Sequence, residues 1–127
     1  MSARKSVGIT ATQAPVDIDL MREATGRLIR PDDAPEALPP TGEELDTLTL
    51  QIRGHMQLMI PEVEKAAGRL GKDSIPRFCA LACVGEARRK LTAPQSTGEN
   101  GAVAYARRLA RSLNALCDHY GNLGGGE

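Results

Sequence analysis

The sequence predicts an all-α protein, an antiparallel bundle of about four helices, and three observations carry that prediction. Apolar residues recur at helical spacing in four stretches, and no stretch shows strand alternation. The apolar mass is Leu, Ile, Val, Met and Ala, with no Trp, one Phe (Phe78) and two Tyr (Tyr105, Tyr120), which suits closely packed helices better than an aromatic β core. The stretches are separated by segments rich in Pro and Gly, and no internal repeat is present.

Residues 1–15 are polar, small and aperiodic and read as a tail. A first helix is expected over 17–30, with Ile18, Met21, Leu28 and Ile29 on one side and Pro31 as its stop. Residues 31–41 form a Pro-rich linker, because Pro neither donates a backbone bond nor fits a helix interior. Thr41-Gly42-Glu43-Glu44 reads as a capping box that starts the second helix. Its inward stripe is Leu45, Leu48, Ile52, His55, Met59, Val63, Ala66 and Leu70, closed by Gly71. At 1.5 Å per residue that helix is about 40 Å long, with a kink expected at Pro61, which cannot bond the carbonyl of Gln57.

The third helix is expected over 75–91, capped by Asp73 or Ser74, with Pro76 in its first turn. Its inner face is small: Cys79 or Ala80, Cys83 or Val84, Ala87 and Leu91. The fourth is expected over 99–120, with Val103, Ala106, Leu109, Ala110, Leu113, Leu116, Cys117 and Tyr120 inward and Gly121 ending it. The bundle domain is thus placed at 16–121, and 122–127 reads as a second tail.

The totals exclude several classes of function. The 16 basic and 16 acidic residues cancel, so no global field draws the chain to nucleic acid or to an anionic membrane. The scarcity of aromatics argues against single-strand binding by base stacking. No apolar run reaches membrane-span length, and the N-terminus has no signal-like apolar region. Three cysteines without an export signal point to reduced thiols and a cytoplasmic protein. P-loops, dinucleotide Gly motifs, nucleophilic triads and zinc-type CxxC or HExxH spacings are absent, so no metal, no cofactor and no recognisable catalytic motif are expected.

The candidate site residues are polar groups that a helical scaffold alone least requires. His55 is placed on the inner stripe beside the kink, where its unperturbed pKa near 6.5 suits it to proton transfer. Arg53 and Glu62 lie close to it in sequence, and Gly54 reads as a point of close helix contact. Asn114 and Asp118, at i and i+4, share a face near the end of the fourth helix, and His119 adjoins them. Glu86 and Arg88 flank Ala87 on the third helix and read as interhelical pairs or a cleft lining. Arg107, Arg108 and Arg111 form a basic face that reads as solvated.

LTLQIRGHMQLMIPEVE (48–64), CALACVGEARRKL (79–91) and ARRLARSLNALCDHY (106–120) resemble the blocks of a small actinomycete protein family of unknown function, labelled as natural-product biosynthesis proteins. The resemblance covers roughly residues 18–123 and implies a Streptomyces-like source near specialised-metabolite or regulatory genes. It transfers no reaction and no catalytic residue. The function expected is therefore a helical interaction or ligand-binding protein accessory to specialised metabolism. Its partner is a protein or a small molecule, and a second copy of the chain is a further candidate, sharing the long second-helix stripe. The alternative is a small cofactor-free enzyme with His55 as acid or base.

Overall fold

The computed structural model describes residues 16–29, 39–95 and 101–124. Among them are four helices and no strand: α1 (Ile18–Gly26), α2 (Gly42–Gly68), α3 (Ile75–Thr92) and α4 (Gly101–Asn122). The tail at 1–15, linker residues 31–38 and the terminal residues 125–127 lie outside the described residues.

The helix ends differ from the sequence expectation for local reasons. Asp17 caps α1, its carboxylate accepting from the Leu20 N–H at 3.0 Å. The helix stops at Gly26 rather than near 30, and both Leu28 and Ile29 donate back to the Thr25 carbonyl. Arg107 then takes the Leu28 carbonyl at 3.2 Å, so that group is satisfied from α4 rather than by more helix. Thr41 is the N-cap of α2 but makes no side-chain cap bond. Gly42 follows it at φ +59°, a left-handed turn that breaks the geometry the capping box requires.

Helix α2 runs unbroken through Pro61 and ends at Gly68, not Leu70. Arg77 donates to the Leu70 carbonyl at 2.9 Å, which caps the connection to α3. Of the two expected caps for α3, Ser74 is the one used, its hydroxyl accepting from the Arg77 N–H at 3.2 Å. Helix α4 carries Gly121 inside its last turn, and the chain turns away at Gly124, φ +74°.

The cross-helix pairings fix the directions. Along α1 and α4, Arg22 meets Asp118 while Leu28 meets Arg107, so these helices are antiparallel. Arg27, at the end of α1, pairs with Glu44 near the start of α2, and the two helices pack on each other, so α1 also opposes α2. α2 and α4 therefore run the same way and make the most extensive contact. α1 and α3 flank this central pair, each packing on both members and not on each other.

The core is built by α2 and α4. Leu48, Ile52, Met56, Met59 and Val63 meet Leu109, Leu113 and Leu116, all fully buried. Each such side chain contributes about 1.5–3 kcal/mol relative to exposure. Two expected stripe positions change: Leu70, beyond the helix end, is only half-buried, and Met56, not His55, completes the core. Met56 and His55 both follow Ile52 at helical spacing, and the apolar Met gains more from burial. Gly54 is exposed, and a Cβ there would meet nothing within 4 Å, so it is not a close-contact point. α3 contributes only Ala80, Val84 and Ala87 inward, while Cys79 is exposed and Cys83 half-buried.

Candidate functional site

The sequence-derived candidates do not gather at one place. Asn114 and Asp118 face α1. The Thr25 hydroxyl, on a buried residue, donates to Asn114 Oδ1 at 2.8 Å. Arg22 reaches the same oxygen at 3.4 Å and Asp118 Oδ1 at 2.6 Å. These contacts hold α1 on α4. Glu62 pairs with Lys65 one turn on, at 3.0 Å. Arg88 joins Glu64 at 2.8 Å and ties α3 to α2.

His55 is half-buried at the flank of α2, and its Nε2 is buried without a hydrogen-bond partner among the described residues. Burial pushes its pKa below the ordinary value, and the Asp17 carboxylate opposes this in part. The ring is accordingly neutral at pH 7.

Glu86 and His119 do meet a common feature, a groove of about 360 Å³ between α3 and α4. Cys79, Ala82, Cys83 and Ala115 make its apolar wall, and Lys90 and Arg111 stand toward one end. Glu86 is already paired with Arg89 at 3.3 Å. Burial raises the Cys83 thiol, as it does Cys117, so both are protonated at neutral pH and poor nucleophiles. Among the described residues no group of three His, Cys, Asp or Glu is placed to hold a metal ion.

Arg53 lines a different groove, also of about 360 Å³, with Asp46, Thr49, Leu50, Gln95, Ala102 and Tyr105. Asp46, Thr49, Leu50 and Arg53 share one face of α2 because they are spaced three, four and seven residues apart. Arg53 Nη1 donates to the Tyr105 hydroxyl. Tyr105 is 6% exposed, so its ring belongs to the core while its oxygen reaches the groove. Among the described residues neither the phenolic hydrogen nor the remaining guanidinium N–H groups have an acceptor, and Arg53 faces no carboxylate within salt-bridge distance. A hydroxyl that accepts from a cation is polarised to donate more strongly. The pair is thus a positively charged, two-residue donor site beside an apolar wall formed by Leu50 and Ala102.

Sequence reasoning selected Arg53 but missed Tyr105, Arg22 and Thr25. Tyr105 had a legible signal: a tyrosine beside the inner stripe of an amphipathic helix must find a partner for its hydroxyl, and a half-buried arginine supplies one. Arg22 and Thr25 had none, since nothing in one sequence relates them to residues about ninety positions away.

Fold and grooves together define, among the described residues, a small all-α bundle with a donor-lined groove beside its two central helices. The chain belongs to a family of unknown function, DUF6415, whose model matches residues 19–125. No curated protein and no solved structure matches it. Among the described residues no helix is long and apolar enough to cross a membrane.

Proposed function

We propose that the protein is a non-enzymatic ligand-binding bundle that holds a small amphipathic carboxylate in the Arg53–Tyr105 groove. The observation that carries this reading is the donor pair itself: a guanidinium and a phenol whose remaining hydrogens have no acceptor among the described residues, one seated on a buried ring. A carboxylate accepts two such donors in one plane. Leu50, 69% exposed at the rim, and Ala102 supply an apolar wall for the rest of the molecule. Asp46 on the same rim disfavours a dianion such as phosphate and favours a monoanion or a zwitterion. A groove of this size suits a small metabolite.

The resemblance of the three helical blocks to actinomycete proteins labelled for natural-product biosynthesis supports a place accessory to specialised metabolism or its regulation. The three free thiols support a cytoplasmic setting. Acid–base catalysis by His55 is less supported. Asp118 and Glu62, the carboxylates that would orient the ring, are engaged by Arg22 and Lys65.

The test is native mass spectrometry of protein purified from an actinomycete host, followed by titration with octanoate as a simple amphipathic carboxylate. Retained small-molecule mass, or octanoate binding lost in both Arg53→Met and Tyr105→Phe, is the expected result. Octanoate binding unchanged by either substitution sinks this assignment of the site.

A further inference from the structure

The outer face of α3 is apolar where a finished surface is polar. Ile75 and Phe78 are each 74% exposed, and Phe78 is the only phenylalanine of the chain. Cys79 and Ala82, both exposed, complete an i, i+3, i+4, i+7 ridge. The opposite face of the helix, Ala80, Val84 and Ala87, is the one that packs on α2 and α4. A helix apolar on two sides requires a cover on both.

We propose that the cover is a second copy of this chain, with α3 pairing antiparallel to its symmetry mate about a two-fold axis between Phe78 and Cys79. Charge selects this arrangement. In the stated register Ile75 lies opposite the partner's Ala82, and Phe78 opposite the partner's Cys79. Glu86 then falls against the connection preceding the partner's α3, where Lys72 stands. Lys72 is exposed and has no ion-pair or hydrogen-bond partner among the described residues. Among the described residues Glu86 is held only by Arg89 of its own helix. A two-fold interface forms both Glu86–Lys72 contacts at once, because each copy supplies one of each.

The competing registers fail on the same residues. Parallel pairing sets Glu86 against Glu86 and Arg89 against Arg89, like charge on like. Antiparallel pairing centred on Ala82 lays Phe78 on Glu86 and Ile75 on Arg89, burying charges under apolar side chains. The long α2 stripe, the surface the sequence offered for self-association, is unavailable because Leu45, Leu48, Ile52, Met59, Val63 and Ala66 are consumed in the core of a single copy.

The ridge is short, so the dimer belongs at the weak end of specific interfaces, with Kd on the order of 10 µM. The ligand groove adjoins Gln95, beyond the other end of α3, so the two proposals stand or fall separately.

Equilibrium sedimentation across that concentration range is expected to show a shift to twice the 13.5 kDa chain mass. Phe78→Glu leaves the mass monomeric with helicity unchanged. Cys79 lies beside the axis, so a short bis-maleimide links two copies of the wild-type chain, links far fewer with Phe78→Glu, and links none with Cys79→Ser. Lys72→Glu and Glu86→Lys each weaken the dimer several-fold, and the double exchange restores it. A chain that stays monomeric throughout overturns the proposal. So does a dimer that persists in Phe78→Glu, or a charge exchange that restores nothing.

Discussion

The α1–α4 seam and the Arg53–Tyr105 groove each pair an arginine with polar side chains on α4, but they end in opposite states. In the seam, Arg22 faces the Asp118 carboxylate and the Asn114 amide, and Thr25 donates to the same amide oxygen. Charge is balanced, and the buried hydroxyl is satisfied. In the groove, Arg53 meets the Tyr105 hydroxyl and, among the described residues, no carboxylate, so its positive charge and several donors are left without a partner there. The difference teaches how to read a polar residue on a helical scaffold. Its identity matters less than whether its partner completes it. A completed cluster holds elements together, and an incomplete one beside a cavity is where a ligand is to be sought.

The comparison breaks most visibly at Asn114. Asn114→Ala removes the cross-helix acceptor of the buried Thr25 hydroxyl, which keeps the Arg22 carbonyl at 3.1 Å, and is expected to cost about 0.5–1.5 kcal/mol of stability while leaving octanoate binding intact. Urea denaturation beside a binding titration measures both. If the melt is unmoved, the seam is not the clamp described.

On the groove side, Arg53→Met is expected to weaken octanoate binding about tenfold or more, a loss typical of a hydrogen bond to a charged group, with little change in melting. A large drop in stability would mean that the pair is a completed cluster after all, and the contrast with the seam would dissolve.

His55 sharpens the comparison, because its buried Nε2 has no partner among the described residues and lines neither of the two grooves. Its folded-state pKa is lowered from 6.5, chiefly by burial. The unfolded chain therefore takes up the proton first as pH falls. The stability linked to this group is fully present above about pH 6.5 and is lost as pH drops through the lower folded value. His55→Leu is expected to abolish that slope and to raise stability by about 1 kcal/mol, since an unsatisfied polar atom is replaced by apolar contact. Denaturant midpoints taken at about pH 8 and pH 5 report both effects. A wild-type midpoint that rises toward acid contradicts the assignment.

The smallest effect belongs to the seam's exposed end. The Arg22 and Asp118 side chains are 41% and 63% exposed, so Asp118→Asn should cost no more than about 1 kcal/mol. The loss should fade with added salt, whereas the Asn114→Ala loss should not.

Much of this molecule was decided by its sequence alone. The four helices and the absence of strands among the described residues, and nearly every inward residue of α4, follow from helical spacing and from where Pro and Gly interrupt it. Local ends were harder to read, as the unformed Thr41 cap and the early stop of α1 show, because a left-handed Gly42 and a distant Arg107 intervene. The choice between Met56 and His55 for the core, the engagement of Asn114 and Asp118 by α1, and the meeting of Arg53 with Tyr105 were decided only by the tertiary structure. Periodicity fixes which side of a helix is apolar, to within a residue or so. Which polar groups find each other depends on the packing of helices far apart in sequence, and no local pattern encodes that distance.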